Sequence, residues 1–468
     1  MESILSTVTV IRVGNLRSRG ESMQEKVLEF LNKHNLNPEE VNMDKLCEYF
    51  MQEMNAGLKG ESSSLPMIPS YCSPDGKPKA GQKVLVIDAG GTNLRTCIVE
   101  FSQDLKPEIK EFKKTRMPGS EKEVTAKEFI AVFADEIKRL IDQCDKVGFC
   151  FSYAAQILPD HDGIPMGLSK EIKAPEIVGK KLGESLFKEL ASRGHDVSDK
   201  KILILNDTVA TLLAAQSQNT TGKYDGCIGF ILGTGTNTAY IEKSSKITKL
   251  PEGQDVSENQ IINVESGSLA FSLGDIDKAF LASTLDASKY NFEKMISGAY
   301  LGKLAWYIIR AAIDDGVLSP SFAEIFNSYA PSSNAVSTLD LSTFLEYSDS
   351  KEVLSSYIDN ASSSAAFSDD SNEDAYILED ILKAHILRAA KLTAVNLASA
   401  VLITDFGKDK AHPVLINADG TTFYKTPYLR EYTVKYLTEY LESKGRYVEF
   451  TQIEDSPIIG SAIGALSL

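Results

Sequence analysis

The sequence predicts a protein of two α/β domains with mixed sheets around a central cleft. The chain has 468 residues, well beyond the roughly 250–300 residues at which a single hydrophobic core stops growing. Apolar strand segments alternate with amphipathic helical segments along most of the chain. One pattern occurs twice: an apolar strand, a Gly/Thr turn that ends in Asn, and a second strand. Two widely separated copies indicate two structurally related domains that face one another, because a tandem array would show a short fixed period.

We expect three parts along the chain. Residues 1–69 form an N-terminal helical segment, because apolar residues recur at helical spacing on both sides of a break at Asn37-Pro38. The smaller domain is expected to comprise residues 70–205 together with the last helix, residues 455–468. The larger domain is expected to comprise residues 206–454.

Composition and charge exclude several classes of function. The net charge of −16 repels nucleic-acid backbones and anionic membrane surfaces, so we expect neither as a partner. No stretch approaches about 18 uninterrupted apolar residues, which argues against a membrane span. The 6 cysteines are scattered and the N-terminus lacks a signal-peptide pattern, which favours a cytoplasmic location. The acidic, Ser-rich stretch at residues 359–374 is typical of an exposed loop.

The first Gly/Thr turn has the chemistry of a phosphate-binding loop. Gly90 and Gly91 let backbone N–H groups approach a ligand closely, and Thr92 and Asn93 add polar side chains. Asp88, at the end of the preceding strand, is a candidate outer ligand for Mg²⁺, which keeps several waters and uses few carboxylates. The alternative for this turn alone is a plain hairpin with an Asx cap.

A second turn and a strand-to-helix junction complete the candidate chemistry. The turn that contains Gly233 and Thr234 also has the chemistry of a phosphate-binding loop, and its alternative is again a plain hairpin with an Asx cap. A polyphosphate held between two domains needs donors from both, so two turns are stronger evidence than one. Asn206-Asp207 follows the strand ILIL and precedes a predicted helix. The carboxylate of Asp207 could accept a proton from a substrate hydroxyl, and the alternative is a helix N-cap.

Other phosphate-handling motifs are absent from the sequence. There is no G-x-x-x-x-G-K-[ST], which excludes the P-loop class. None of the 5 histidines lies in an H-R-D, which excludes the protein kinases. The dinucleotide fingerprint lacks its third glycine after Gly233-x-Gly235.

The order of these motifs resembles that of the hexokinase family, which belongs to the wider group with the actin-like (ribonuclease H-like) ATPase fold. The resemblance spans about residues 80–468. IDAGGTNLR and GFILGTGTNTAYIE resemble the two phosphate segments of the family, and LNDTVAT resembles its catalytic-aspartate segment. FSYAAQILPDHDGIPMGLSKEIK resembles the sugar segment, and INVESGS and YNFEKMISGAYLG resemble the two segments that each bring a glutamate to the sugar. INADGTTFYKTPYL resembles the late adenine-side strand.

The resemblance implies two actin-like domains around a cleft that binds ATP, Mg²⁺ and a hexose, with glucose the first expectation. It implies phosphorylation of the 6-hydroxyl with Asp207 as the general base and Lys170 as a second catalytic residue. The residues implied to line the sugar site are Ser152, Ser169, Lys170, Asn206, Asp207, Asn237, Glu265 and Glu293. The residues implied to hold the nucleotide are Asp88, Gly90, Gly91, Thr92, Asn93, Arg95, Gly233, Thr234, Asp419, Gly420 and Thr421, with Asp88 also near the metal.

The sequence also departs from the family pattern. Tyr153 stands where the family usually has Phe, and Ser266 stands where it usually has Trp. The C-terminal segment DSPIIG lacks the usual Gly-Ser-Gly-Lys adenine contacts. Three alternatives therefore stay open: a sugar-sensing regulator without turnover, a kinase that prefers mannose or fructose, and a structural α/β protein with capped turns.

Overall fold

The protein folds around two mixed β-sheets. The computed structural model describes residues 21–74, 76–168, 172–219, 221–255, 257–271, 274–347 and 369–468. The strands are β1 (Ile68–Pro69), β2 (Lys83–Gly90), β3 (Asn93–Phe101), β4 (Pro107–Arg116), β5 (Lys146–Phe151), β6 (Ala155–Ile157), β7 (Gly163–Pro165), β8 (Lys201–Leu205), β9 (Gly226–Leu232), β10 (Thr236–Lys243), β11 (Asn259–Asn263), β12 (Val414–Asp419) and β13 (Val448–Thr451). The α-helices are α1 (Glu21–Lys33), α2 (Met43–Lys59), α3 (Ala126–Ile137), α4 (Leu182–Ser192), α5 (Asp207–Gln218), α6 (Asp275–Ala282), α7 (Asn291–Ile296), α8 (Leu301–Asp314), α9 (Pro320–Tyr329), α10 (Thr338–Tyr347), α11 (Asp369–Thr404), α12 (Thr421–Lys425), α13 (Leu429–Ser443) and α14 (Ser456–Leu466).

The two sheets share one strand arrangement. The first sheet has the order β4-β3-β2-β5-β8, in which β4, β3 and β2 are antiparallel and β5 and β8 run parallel to β2. The second sheet has the order β1-β11-β10-β9-β12-β13, in which β11, β10 and β9 are antiparallel and β12 and β13 run parallel to β9. Apart from β1, each sheet has three antiparallel strands followed by two parallel ones. This repetition confirms the predicted fold class of two related α/β domains with mixed sheets.

The two Gly/Thr turns join antiparallel strands, as the sequence predicts. In the first hairpin Gly90 of β2 pairs with Asn93 of β3, and in the second Leu232 of β9 pairs with Thr236 of β10. The central parts of these strands are buried, so the turns are the parts of the hairpins that remain accessible.

Helices α5 and α14 pack against each other between the two sheets. The closest approach is at Gly460 of α14, where a Cβ atom would lie 1.8 Å from the backbone oxygen of Ala210 in α5. Strand β9 approaches α5 almost as closely, because a Cβ at Gly229 would lie 2.2 Å from the backbone oxygen of Thr208. Glycine at these positions is required by space, and it allows both domains to share one tightly packed helix pair.

The N-terminal helices belong to the core of the second sheet. Phe30 of α1 and Phe50 of α2 lie in the same buried apolar cluster as Phe230 of β9 and Ile381 of α11. Strand β1 extends the edge of the second sheet by pairing with β11. The proposed division of the chain at residues 69/70 and 205/206 stays a prediction.

Helix α11 begins earlier than the sequence predicts. The stretch 359–374 was expected to form a loop, but the helix already includes Asp369, so the expectation is wrong for residues 369–374. Asp374 is buried because its carboxylate accepts hydrogen bonds from the backbone N–H and the hydroxyl of Ser319, at 2.8 and 2.5 Å. Amino-acid composition cannot predict such a tertiary contact. Residues 359–368 lie outside the described residues.

Among the described residues, one helix is long and apolar enough to cross a membrane. It comprises Glu373–Thr404 of α11, and 83% of its most apolar stretch is buried inside the protein. Side chains such as Ile381, Leu397 and Val401 pack into the core of the second sheet. An apolar helix that is enclosed in this way is the core helix of a large domain.

We expect Gly460→Ala to lower the free energy of unfolding by about 1–3 kcal/mol, as overpacking does in other cores. The new Cβ would collide with the backbone of Ala210, which cannot move without shifting α5. Gly464→Ala is the matched control on the same helix, because its closest neighbours are the side-chain ends of Leu203 and Leu213, which can rotate. Urea denaturation measures both variants. Equal midpoints for the two variants would contradict the close-packed helix pair.

Candidate active site

A cleft lies where residues of the two Gly/Thr turns meet. Its cavity volume is about 660 Å³. Sequence-predicted residues that line it are Asp88, Gly90, Gly91, Arg95, Ser152, Asp207, Gly233, Thr234, Asp419, Gly420 and Thr421. The structure therefore brings both turns, the start of α5 and the end of β12 to a single cavity.

The start of helix α5 assigns different roles to Asn206 and Asp207. Asn206 is the N-cap: its side-chain oxygen accepts a hydrogen bond from the backbone N–H of Thr208 at 2.9 Å. Asp207 is the first helical residue and lines the cleft. The hydroxyl of Ser152 donates a hydrogen bond to its carboxylate. Since Asn206 caps the helix, the carboxylate of Asp207 is available to a ligand.

The environment of Asp207 moves its pKa toward neutrality. Burial is the largest cause and raises the pKa from 3.8 to about 7. The negative charges of Asp88 and Glu265 act in the same direction, whereas the hydrogen bond from Ser152 opposes them. A carboxylate with a pKa near the working pH is a stronger base than an ordinary aspartate, which suits proton abstraction from a hydroxyl.

A chain of buried amides leads from α5 to Glu265. The Asn237 Nδ2 atom lies 3.3 Å from the Oδ1 atom of Asn206 and 2.7 Å from the Oδ1 atom of Asn263. The Asn263 Nδ2 atom in turn donates to the Oε1 atom of Glu265 at 2.8 Å. All three amides are buried. The network fixes the relative positions of polar groups that come from the start of α5, from β10 and from β11.

Two glutamates extend this acidic side of the site. Glu265 adopts a left-handed conformation with φ 55° and ψ 48°, a strain of about 1 kcal/mol or more that is typical of functional positions. Glu293 of α7 accepts a hydrogen bond from the backbone N–H of Thr236 at 3.0 Å. Burial raises the pKa of Glu265. Burial and the charge of Glu265 raise the pKa of Glu293 to about 7, although the bond from Thr236 opposes the shift.

Three segments of the chain pack together at one wall of the cleft. The Gly233 carbonyl accepts hydrogen bonds from the Gly298 N–H at 2.8 Å and from the Thr422 hydroxyl at 2.9 Å. Gly420 has φ 116°, and a Cβ there would lie 2.3 Å from the backbone oxygen of Leu232. Glycine is therefore required at this contact, which lets the segments pack closely beside the cavity.

The other wall carries an ion pair. The Arg95 Nη1 atom lies 2.6 Å from the Oδ2 atom of Asp88. Burial raises the pKa of Asp88, and Arg95 counteracts that effect. The side chain of Arg95 is 36% exposed and lines the cleft. A cation and a carboxylate thus lie next to the first Gly/Thr turn.

Six predicted site residues of the described part of the chain are not among the residues that line this cavity. They are Thr92 and Asn93 of the first turn, and Asn206, Asn237, Glu265 and Glu293 of the neighbouring amide and glutamate network. Thr92 and Asn93 are at the tip of the first hairpin, outside the set of lining residues. Ser169 and Lys170 lie outside the described residues, so their proposed roles stay predictions.

The structure adds residues that the sequence analysis missed. Lining residues that were not predicted include Gly298, Thr338, Leu339, Ser342, Thr422 and Lys425, and Asn263 joins the amide chain. Asn263 and Gly298 lie inside the segments INVESGS and YNFEKMISGAYLG, so a signal for them was present. Thr338 and Leu339 come from α10, which contains no motif.

The fold and the cleft together define a class: a two-domain enzyme that can hold a phosphate chain beside a polyhydroxyl compound. Comparison with known proteins supports this class. Profiles of the hexokinase family match residues 26–217 and residues 227–467. Hexokinase-2 of Schizosaccharomyces pombe is 26% identical over 430 residues, which cover 88% of this chain and 90% of that protein. Glucokinase of Aspergillus niger is also 26% identical, with 89% of this chain and 92% of that protein covered.

A solved structure shows the same fold. The hexokinase from Schistosoma mansoni complexed with glucose has a TM-score of 0.73 and 23% sequence identity, covering 95% of this chain and 100% of that chain. The chain belongs to the hexokinase family, and it is an ATP-dependent hexose kinase. The resemblance noted in the sequence is confirmed. The comparisons do not favour a sugar-sensing regulator or a kinase that prefers mannose or fructose.

We expect Asp207→Asn to be more stable than the natural protein by about 1–3 kcal/mol at pH 8, with a smaller gain at pH 5. The folded pKa of about 7 exceeds the ordinary 3.8, so the folded state binds the extra proton between these values. The natural protein therefore loses stability as pH rises through that window, and the amide variant does not. Urea denaturation at both pH values measures the difference.

The control for this experiment is Asp196→Asn. Hydrogen bonds from Ser198 lower the pKa of Asp196, so this exposed carboxylate stabilises the fold once it is ionised, and its amide variant gains nothing toward pH 8. An Asp207→Asn gain that is equal at both pH values would contradict the raised pKa.

Proposed function

We propose that this hexokinase transfers the γ-phosphoryl group of ATP to the 6-hydroxyl of glucose, with Asp207 as the general base. The observation that supports this most strongly is the position of the Asp207 carboxylate. It lines the cleft, it is not the cap of its helix, and its pKa is about 7. The name of the Aspergillus niger relative, a glucokinase, favours glucose among the hexoses.

We place the sugar against the acidic, amide-rich side of the cleft. A hexose is a ring of hydroxyls that both donate and accept hydrogen bonds, and carboxylates and amides satisfy both functions. The proposed contacts are Ser152, Ser169, Lys170, Asn206, Asp207, Asn237, Glu265 and Glu293. Burial raises the pKa of Glu265 and of Glu293. Donated hydrogen bonds from sugar hydroxyls favour the ionised carboxylates, which supports this placement.

We place ATP between the two Gly/Thr turns. Gly90 and Gly91 line one side of the cavity and Gly233 and Thr234 line another, and backbone N–H groups in such turns suit phosphate oxygens. The further proposed contacts are Asp88, Thr92, Asn93, Arg95, Asp419, Gly420 and Thr421. In an acidic protein the main-chain donors offer a phosphate site that requires little net positive charge.

The donor set near the phosphates fits Mg²⁺ that arrives with the nucleotide. The described residues contain no group of three or more His, Cys, Asp or Glu side chains that could hold a metal ion. Asp88 is a buried carboxylate that lines the cleft next to the first Gly/Thr turn. Mg²⁺ characteristically combines one or two carboxylates with substrate phosphates and retained waters. When bound, the ion would neutralise phosphate charge, and Asp88 would hold its outer shell.

The chain's own residues position the acceptor and remove its proton. The Asp207 carboxylate accepts the 6-hydroxyl proton as the sugar oxygen attacks, and Ser152 orients that carboxylate. Lys170 is proposed to face the transferring phosphoryl group. Phosphoryl transfer has a loose transition state, so positioning and charge stabilisation carry most of the catalysis. Closure of the smaller domain would exclude water, which competes with the sugar hydroxyl for the phosphoryl group.

We also propose a cytoplasmic location without nucleic-acid or membrane partners. The 6 cysteines are free and buried, which suits a reducing compartment. The net charge of −16 disfavours polyanionic partners.

We expect Asp207→Ala to lower kcat by about 10² to 10⁴ without lowering the melting temperature. We expect this loss of kcat because, among the described residues, Asp207 has the carboxylate that lies at the start of α5 and lines the cleft. Coupled assays with glucose, ATP and Mg²⁺ measure kcat, and thermal denaturation measures stability.

The matched control for Asp207→Ala is Thr125→Ala. Thr125 is a true helix cap, with a capping box at the start of α3. Its removal should cost about 1 kcal/mol of stability and leave kcat unchanged. An Asp207→Ala variant with natural kcat and lowered melting temperature would refute the catalytic assignment.

We expect kcat/KM for the hexose to fall as pH drops below about 7, because the base must be ionised and its pKa is about 7. The negative charge of Glu265 helps to raise that pKa, so Glu265→Gln should move this acid limb to lower pH. Glu128→Gln, on the exposed start of α3, is the control and should leave the limb in place. A shift of the acid limb of kcat/KM to higher pH in the Glu265→Gln variant would contradict the electrostatic account.

A further inference from the structure

The long core helix α11 contains a buried asparagine that reaches the sugar side of the site. Asn396 is 1% exposed. Its Nδ2 atom donates to the Thr238 hydroxyl at 2.8 Å, whereas its Oδ1 atom is buried without a hydrogen-bond partner in the described structure. Asparagine is a weak helix former, and an unpartnered buried carbonyl oxygen costs free energy. Stability alone therefore does not explain this side chain.

The partner of Asn396 connects two parts of the proposed sugar site. Thr238 is fully buried on β10 and directly follows Asn237, whose Oδ1 atom accepts a hydrogen bond from the Thr238 N–H at 2.7 Å. The Thr238 hydroxyl also lies 3.3 Å from the hydroxyl of Ser266. Ser266, which is also fully buried, is the residue after Glu265. Thr238 thus contacts Asn237 through its backbone N–H, and it contacts the residue after Glu265 through its hydroxyl.

The backbone at Glu265 needs such support. Glu265 adopts φ 55° and ψ 48°, and a non-glycine residue persists in this conformation only where its surroundings hold it. On one side its carboxylate accepts a hydrogen bond from Asn263 at 2.8 Å. On the other side the Ser266 hydroxyl is anchored to Thr238. Asn396 donates to the same Thr238 oxygen from helix α11 and so holds in place the oxygen that accepts the hydrogen bond from Ser266.

We infer that Asn396 is a positioning residue that holds Glu265 and Asn237 in place for the hexose through Thr238. This inference rests on the proposed function, in which Glu265 and Asn237 contact the sugar. It assigns to helix α11, which does not line the cleft, a role in sugar affinity as well as in the core.

The test compares Asn396→Ala with Ser399→Ala. Ser399 is fully buried on the same helix, but its hydroxyl donates to the backbone oxygen of Val395 at 2.8 Å, so the control removes a buried polar group without touching the site. We expect Asn396→Ala to raise KM for glucose about ten-fold, which corresponds to about 1.4 kcal/mol. kcat and KM for ATP should change less than about two-fold, and Ser399→Ala should leave all three constants unchanged.

Two further measurements separate positioning from a merely structural role. Alanine is the better helix former and removes the unpartnered oxygen, so Asn396→Ala should melt no lower than the natural protein even though KM rises. Thr238→Val removes the same hydrogen bond by changing its acceptor, and it should raise KM for glucose at least as much. This variant replaces Asn396→Ala in the test if Asn396→Ala does not fold. The double variant should be no worse than Thr238→Val alone, because both changes act on one contact.

The outcomes distinguish this inference from the proposed function. If Glu265→Gln raises KM for glucose while Asn396→Ala and Thr238→Val keep the natural KM, the positioning role is overturned and the sugar site stands. If Glu265→Gln itself keeps the natural KM, the sugar site and the positioning role are overturned together. A lowered melting temperature of Asn396→Ala with natural KM would show that the asparagine only supports the core.

Discussion

The close packing of helix α5 between the two sheets is the constraint on which the site depends. Gly460 and Gly229 allow α14 and β9 to reach the α5 backbone, so the helix is held on two sides. Its N-terminus lies at the cleft, where Asn206 caps it and Asp207 lines the cavity. The helix that joins the domains therefore also presents the carboxylate proposed to remove the proton. Because the two sheets repeat one strand order, each sheet has a Gly/Thr hairpin on its own side of this helix pair.

The polar side of the cleft is organised at an energetic cost. Burial raises the pKa of Asp88, Asp207, Glu265 and Glu293, so each of these carboxylates lowers the stability of the folded protein when it is ionised. Enclosed carboxylates without enough cations need donors from elsewhere. The hydroxyls of a hexose are such donors, so in the proposed function these carboxylates contribute to affinity for the sugar. A base that is poorly solvated before the sugar arrives is also the base best suited to take its proton.

Much of the fold and part of the site could be predicted from the sequence because the signals were local. The two hairpins show a glycine-rich turn between apolar strands, and the strand-to-helix junction at Asn206-Asp207 is contained in a few residues. The assignment of the cap to Asn206 rather than to Asp207 required coordinates, since both residue types are good caps.

The features that could not be predicted arise from contacts between distant parts of the chain. Asp374 belongs to a helix rather than to a loop, and it is bonded to Ser319, 55 residues away in the chain. Asn396 meets Thr238 across the core, and α10 supplies Thr338 to the cleft without any motif. Periodicity and composition describe one segment at a time, so they carry no information about such pairs. Ser169 and Lys170 remain predictions from the resemblance.

The most direct test of the account is a crystal structure of this protein with bound glucose. The account predicts that the sugar lies between the start of α5 and the two glutamates. Its 6-hydroxyl oxygen should be about 2.6–3.2 Å from the Asp207 carboxylate, and its ring hydroxyls should contact Glu265 and Glu293. A sugar whose 6-hydroxyl points away from Asp207, or one bound outside the cleft, would contradict the proposed chemistry.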